Sequence, residues 1–69
     1  NMEAWFRLGT IYLKLGKLRK AENALSHAKA MKPKFADASY NLGLALYREG
    51  KMIEAIHEWE YTISIDHLN

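Results

Sequence analysis

Laid against itself at an offset of 34 residues, the sequence pairs Ala4 with Ala38, Leu8 with Leu42, Gly9 with Gly43, Gly16 with Gly50, Lys17 with Lys51 and Ala21 with Ala55. Like residues also pair: Glu3 with Asp37, Phe6 with Tyr40, Lys14 with Arg48, Leu18 with Met52, and Met31 with Ile65. A fixed period of this length marks stacked supersecondary units, each unable to bury its apolar face alone. Two units fill the 69 residues, with Asn1 left over. The expected domain is thus residues 1–69, with repeat one at about 2–35 and repeat two at about 36–69.

Each unit reads as two helices. Met2 to Leu15 are good helix formers, with Trp5, Leu8, Gly9 and Tyr12 on one face. Gly16-Lys17 supplies a stop and turn. From Leu18 to Met31 the residues Leu18, Ala21, Leu25 and Ala28 recur at helical spacing among charged positions, as an amphipathic helix requires. Pro33 closes the unit, because proline cannot continue a helix interior. The second unit predicts helices over Ala36–Glu49 and Met52–Ile65 around a turn at Gly50-Lys51. Short connections make the neighbouring helices antiparallel. The fold class is therefore all-α, two stacked antiparallel helix-turn-helix hairpins.

Trp5-x2-Leu8-Gly9-x2-Tyr12, Ala21-x3-Leu25, Ala28 and Pro33 together resemble the tetratricopeptide repeat pattern, with Leu25 where phenylalanine is common. The second unit is looser: Leu42-Gly43, Leu46, Ala55 and Trp59 fit, while Ser39 replaces the tryptophan and His67 the closing proline. The resemblance implies a right-handed solenoid and a non-enzymatic scaffold whose first helices receive a peptide or helix. Independently of it, Gly9, Ala21, Ala28, Gly43 and Ala55 allow close helix approach, and Trp5, Tyr12, Leu25, Leu46 and Trp59 fill the space left. A large side chain at Gly43 should overpack the unit, and truncating a fully buried Trp59 to alanine should cost about 3–5 kcal/mol.

By the same resemblance, the concave face is expected to carry Phe6, Thr10, Leu13 and Lys14 from the first unit, and Tyr40, Asn41, Leu44, Tyr47 and Arg48 from the second. Glu3 and Asp37 flank them. Tyrosine suits recognition surfaces, with a rigid apolar body and a polar tip. Two readings stand: a peptide groove edged by Lys14 and Arg48, or a seam in which Phe6, Leu13, Tyr40 and Tyr47 pack neighbouring first helices. Family members that grip chaperone C-terminal carboxylates use a lysine and an asparagine where Phe6 and Thr10 stand here, so that clamp is not expected.

About three units are usually needed for a stable stack, and terminal units are normally capped. Ile53, Ile56 and Ile63 stand where the preceding unit has Arg19, Glu22 and Lys29. This stripe either awaits a neighbouring repeat or mediates self-association, symmetric or head-to-tail. The charges are also asymmetric. Residues 1–35 carry eight lysines and arginines against two acidic residues, and residues 36–69 carry two against six. Opposite ends of opposite sign can attract.

Other chemistries find little support. The sequence contains no cysteine, which removes disulfides, zinc-thiolate sites and thiol nucleophiles. Glu54, His57 and Glu58 share a helix face, but no second ligand helix accompanies them. Ser26, Ser39 and Ser64 lack a nucleophile elbow, and no phosphate-binding loop occurs. The basic cluster Lys14, Lys17, Arg19 and Lys20 does not recur, since Ile53 and Glu54 replace Arg19 and Lys20; a solvated face or an acidic protein partner is favoured over nucleic acid. No catalytic residue, cofactor or metal is expected. With no membrane-length apolar run and no leader, the expectation is a soluble, cytoplasmic protein, or an excerpt of a longer scaffold attached to an enzyme or a secretion or assembly machine.

Overall fold

Two glycines set where the helices end. In the computed structural model, which describes residues 1–66, Gly16 has φ +76° and Gly50 φ +86°, left-handed values that side chains disfavour. Around Gly16, the Lys17 N–H donates to the Tyr12 carbonyl at 2.9 Å and the Gly16 N–H to that of Leu13 at 3.1 Å. Lys51 and Gly50 make the equivalent bonds to Leu46 and Tyr47, at 2.9 and 3.0 Å. These paired bonds form the Schellman arrangement, which satisfies carbonyls left open at a helix end.

Four helices result: α1 (Met2–Lys14), α2 (Leu18–Met31), α3 (Ala36–Arg48) and α4 (Met52–Asp66). The expected ends differ by at most one residue; Leu15 and Glu49 serve as C-caps rather than as last helical residues. The Asn1 side chain caps α1 by accepting from the Ala4 N–H at 2.8 Å. Glu3 and Asp37 lie in first turns, and Lys14, Lys29 and Arg48 in last turns, each complementing the helix dipole. No strand occurs among the described residues. His67, Leu68 and Asn69 lie outside them.

Within each hairpin a large side chain enters a glycine notch. A Cβ at Gly9 would stand 2.6 Å from Leu25 Cγ, and one at Gly43 would stand 2.5 Å from Trp59 Nε1. Leu25 is fully buried. Trp59 is only half-buried, so its truncation costs less than the full-burial figure above. Trp5 is likewise half-buried and does not close a core; it stacks on His27 with ring centroids 4.2 Å apart. Ser39, in the matching place, is fully buried, with its hydroxyl 2.8 Å from that of Thr62 and 3.0 Å from the Ala36 carbonyl.

The hairpins stack by packing α3 against α2. Ala38, Leu42 and Ala45 are buried, and Leu13, Ala21, Leu25, Leu42, Ala45, Leu46 and Ala55 form one core cluster. The assembly is 16 Å thick in its shortest dimension, about two helix layers. The corresponding stripe on α1 is open: Leu8, Ile11 and Leu15 are all exposed. Leu8 and Leu42 are equivalent in sequence, yet among the described residues only Leu42 has a preceding helix to bury it.

Candidate functional site: the first-helix face and the open ends

The expected groove residues divide into two groups. Leu13 is only 6% exposed and belongs to the core. Phe6 is half-buried, with its ring edge-on to Phe35 at 4.9 Å. Thr10 directs its hydroxyl into its own helix, donating to the Phe6 carbonyl at 2.8 Å. For Leu13 and much of Phe6 the packing seam is thus the better description. Leu44 is half-buried against the core.

The second unit differs because nothing follows it among the described residues. Tyr40 and Tyr47, the counterparts of Phe6 and Leu13, are 52% and 47% exposed. Between them lies Trp59, its indole N–H donating to the Tyr40 carbonyl at 3.2 Å. The ring centroids of Tyr40 and Tyr47 are 6.5 and 5.8 Å from the Trp59 indole. Lys14 and Arg48 are both exposed, and Arg48 Nη1 reaches the Leu13 carbonyl at 3.5 Å. Asn41 is half-buried; among the described residues its amide has no side-chain hydrogen bond.

An apolar cleft of about 490 Å³ opens beside Phe6, lined by Met2, Glu3, Phe6, Arg7 and Phe35. Its rim charges, Glu3 and Arg7, pair at 3.4 Å in an exposed i,i+4 bridge that adds little stability. Phe35 escaped the sequence reading because it precedes α3 and its counterparts at the repeat period, Asn1 and Asn69, are not aromatic.

The seam between the hairpins is ionic at two places. Lys29 Nζ holds the Glu58 carboxylate at 2.9 and 3.0 Å. Lys51 Nζ lies 3.5 Å from Glu22 and 3.6 Å from Glu49. Glu49 is only 9% exposed at its side chain, and its Oε2 has no hydrogen-bond partner. Burial raises its pKa above the usual 4.5, reinforced by a hydrogen bond to Glu22 and by the Glu22 charge, while Lys51 opposes the rise. Glu22 and then Glu49 hold the Lys51 ammonium above its usual 10.5. Glu58 is committed to Lys29, and among the described residues no three metal-ligating side chains gather.

Ile53, Ile56 and Ile63 are all exposed on α4, Ile53 most of all at 71%. Among the described residues no helix is long and apolar enough to cross a membrane.

Paired antiparallel helices, notched by glycine and stacked at a 34-residue period, define a helical-hairpin repeat protein. A family model described as tetratricopeptide repeat matches residues 1–63, nearly the whole chain, and the chain belongs to that family. Its repeats are protein-interaction modules. A comparison with curated proteins found no match.

Proposed function

We propose that the chain is a non-enzymatic interaction module that binds a segment of another protein along its first-helix face. The observation that carries this reading is the cleft lined by Phe6 and Phe35; the exposed cations Lys14 and Arg48 complete the surface we assign to the partner. Such an arrangement takes an apolar side chain in the cleft and a carboxylate at the cations, while Asn41 offers one donor and one acceptor to a passing backbone. Exposed Tyr40 and Tyr47 extend the apolar surface.

The test is selection on the 69-residue chain from a random peptide array. Selected peptides should combine an aromatic or aliphatic residue with a nearby Asp or Glu. Lys14→Ala with Arg48→Ala, both at exposed positions, should weaken binding and make it less salt-dependent while helical circular dichroism is unchanged. Peptides that bind equally well to the double variant would defeat the groove reading.

The exposed isoleucines of α4 favour a second use of the surface, association between copies of the chain. An apolar stripe that replaces charged positions of the preceding unit is not a solvated helix face.

A further inference from the structure

The seam between α2 and α3 serves as a template for what the open ends fit. Shifting it by one period puts α4 in the place of α2 and the α1 of another unit in the place of α3. On the incoming side, the buried Ala38, Leu42 and Ala45 of α3 become Ala4, Leu8 and Ile11 of α1. On the receiving side, the covered Phe6 and Leu13 become the exposed Tyr40 and Tyr47. Leu13 is buried where a first helix follows it; Tyr47 stands where the same burial is still open.

The polar contacts of the seam change on both sides. Glu49 and Glu22, both bridged by Lys51, are matched by Leu15 and Ile56, and Lys51 by Lys17. The two half-buried carboxylates thereby become a leucine and an isoleucine beside an exposed lysine. The ion pair Lys29–Glu58 becomes Ile63 against Ala24. At the Lys29–Glu58 place both charges are lost together, so neither side faces an uncompensated ion there; Lys17 keeps its charge at an exposed position, where water solvates it. The reach of Arg48 to the Leu13 carbonyl is kept, because Lys14 matches Arg48 and the Tyr47 carbonyl matches that of Leu13. Ile11 is larger than Ala45, so the two helices would stand further apart than α2 and α3 do.

Net charge agrees with this register. The receiving unit is predominantly acidic and the incoming one predominantly basic, so head-to-tail contact joins opposite signs whereas contact between like ends does not. We infer that the α4 end of one chain receives the α1 end of a second copy in the register of the α2–α3 seam, and that copies stack head to tail. The inference rests on the self-association reading and gives it a geometry; the peptide groove does not depend on it.

The test uses two single variants of the 69-residue chain in sedimentation velocity. Ile11→Glu blocks the incoming face and Ile56→Glu the receiving one; both residues are exposed, at 53% and 44%, so both variants should keep their helical circular dichroism. The mass of the parent chain should rise with concentration beyond two copies, because a heterologous contact does not close at a dimer. Each variant alone should associate about a hundredfold more weakly, since a carboxylate is forced into an apolar contact. Mixed, they should form one-to-one pairs that grow no further, joined by the unblocked α4 end of Ile11→Glu and the unblocked α1 end of Ile56→Glu. If Ile56→Glu lost helicity, Ile63→Glu would take its place. A dimer that stops at two copies and survives Ile11→Glu would overturn the head-to-tail register while keeping self-association. Variants that stay monomeric when mixed would overturn the register too. A parent chain that is monomeric at millimolar concentration would remove self-association altogether and leave these faces to other occupants.

Discussion

Replacing Gly43 with alanine adds one methyl group where Trp59 enters α3, and the structure fixes what it meets. The new carbon would stand 2.5 Å from Trp59 Nε1 and 2.7 Å from Cδ1. Comfortable separation is about 3.5 Å, so the indole or the helix must give by about 1 Å. The indole is held, because its N–H donates to the Tyr40 carbonyl and its ring lies between Tyr40 and Tyr47. Swinging it aside sacrifices a hydrogen bond worth about 1 kcal/mol net. Moving α4 outward instead loosens the hairpin; overpacking of this kind costs about 1–3 kcal/mol.

Against these losses stands the intrinsic preference of a helix for alanine, about 1 kcal/mol. The balance is a destabilisation of up to about 2 kcal/mol, which in a domain of this size lowers Tm by up to roughly 15 °C. Urea unfolding followed by circular dichroism measures it. Trp59→Phe, which removes the clashing edge, should make the same Gly43→Ala change less costly by about 1 kcal/mol in a double-mutant cycle. A Gly43→Ala chain that gains about 1 kcal/mol would show that propensity alone governs this position, and the notch argument would fall.

Two further outcomes are expected. Gly50→Ala meets no atom within 4 Å, so its cost comes only from φ +86° and should be about 1 kcal/mol, with Gly50→Asn costing less; equal stability of all three chains in urea would contradict the turn argument. Glu49 has its folded-state pKa above 4.5, so the folded chain holds this proton more tightly, and the resulting stabilisation is full below pH 4.5 and lost as pH rises through the raised value. Glu49→Gln should accordingly be more stable than the parent at neutral pH, with the gap narrowing on acidification. A variant less stable at every pH would refute this.

Helix positions were legible because three signals agree in this chain: apolar spacing, the two turn glycines, and the 34-residue period that states each signal twice. The notches could also be anticipated, since Gly9 and Gly43 each precede a large residue sixteen positions later, Leu25 and Trp59. Exposure was not legible. Leu8 and Leu42 have the same local sequence role, as do Leu13 and Tyr47, and only the presence of a neighbouring helix separates buried from open. Glu49 read as one of many surface carboxylates, and its burial arises from a seam between segments 27 residues apart, with Glu22 on the other side. The Ser39–Thr62 pair had a faint signal: serine stands where the first unit has tryptophan, and threonine where it has Ala28. Nothing local links two residues 23 positions apart.

The groove and the open end are not independent surfaces, because Tyr40 and Tyr47 border both. A first helix seated against α3 and α4 would cover those rings as Leu13 is covered, withdrawing them from a peptide lying along the groove. The Phe6–Phe35 cleft and the cations Lys14 and Arg48 would remain, and the next copy would add its own set in the same order. Stacking would therefore exchange apolar contact area within one chain for a repeated row of clefts and cations along several. A single short peptide would bind such a stack no better than one chain, and less well if it used the tyrosines. A partner carrying several acidic-apolar segments would bind far better, because each segment after the first is held at high local concentration. The balance between the two uses is set by how deeply the incoming helix buries Tyr47, the residue whose first-unit counterpart is already in the core.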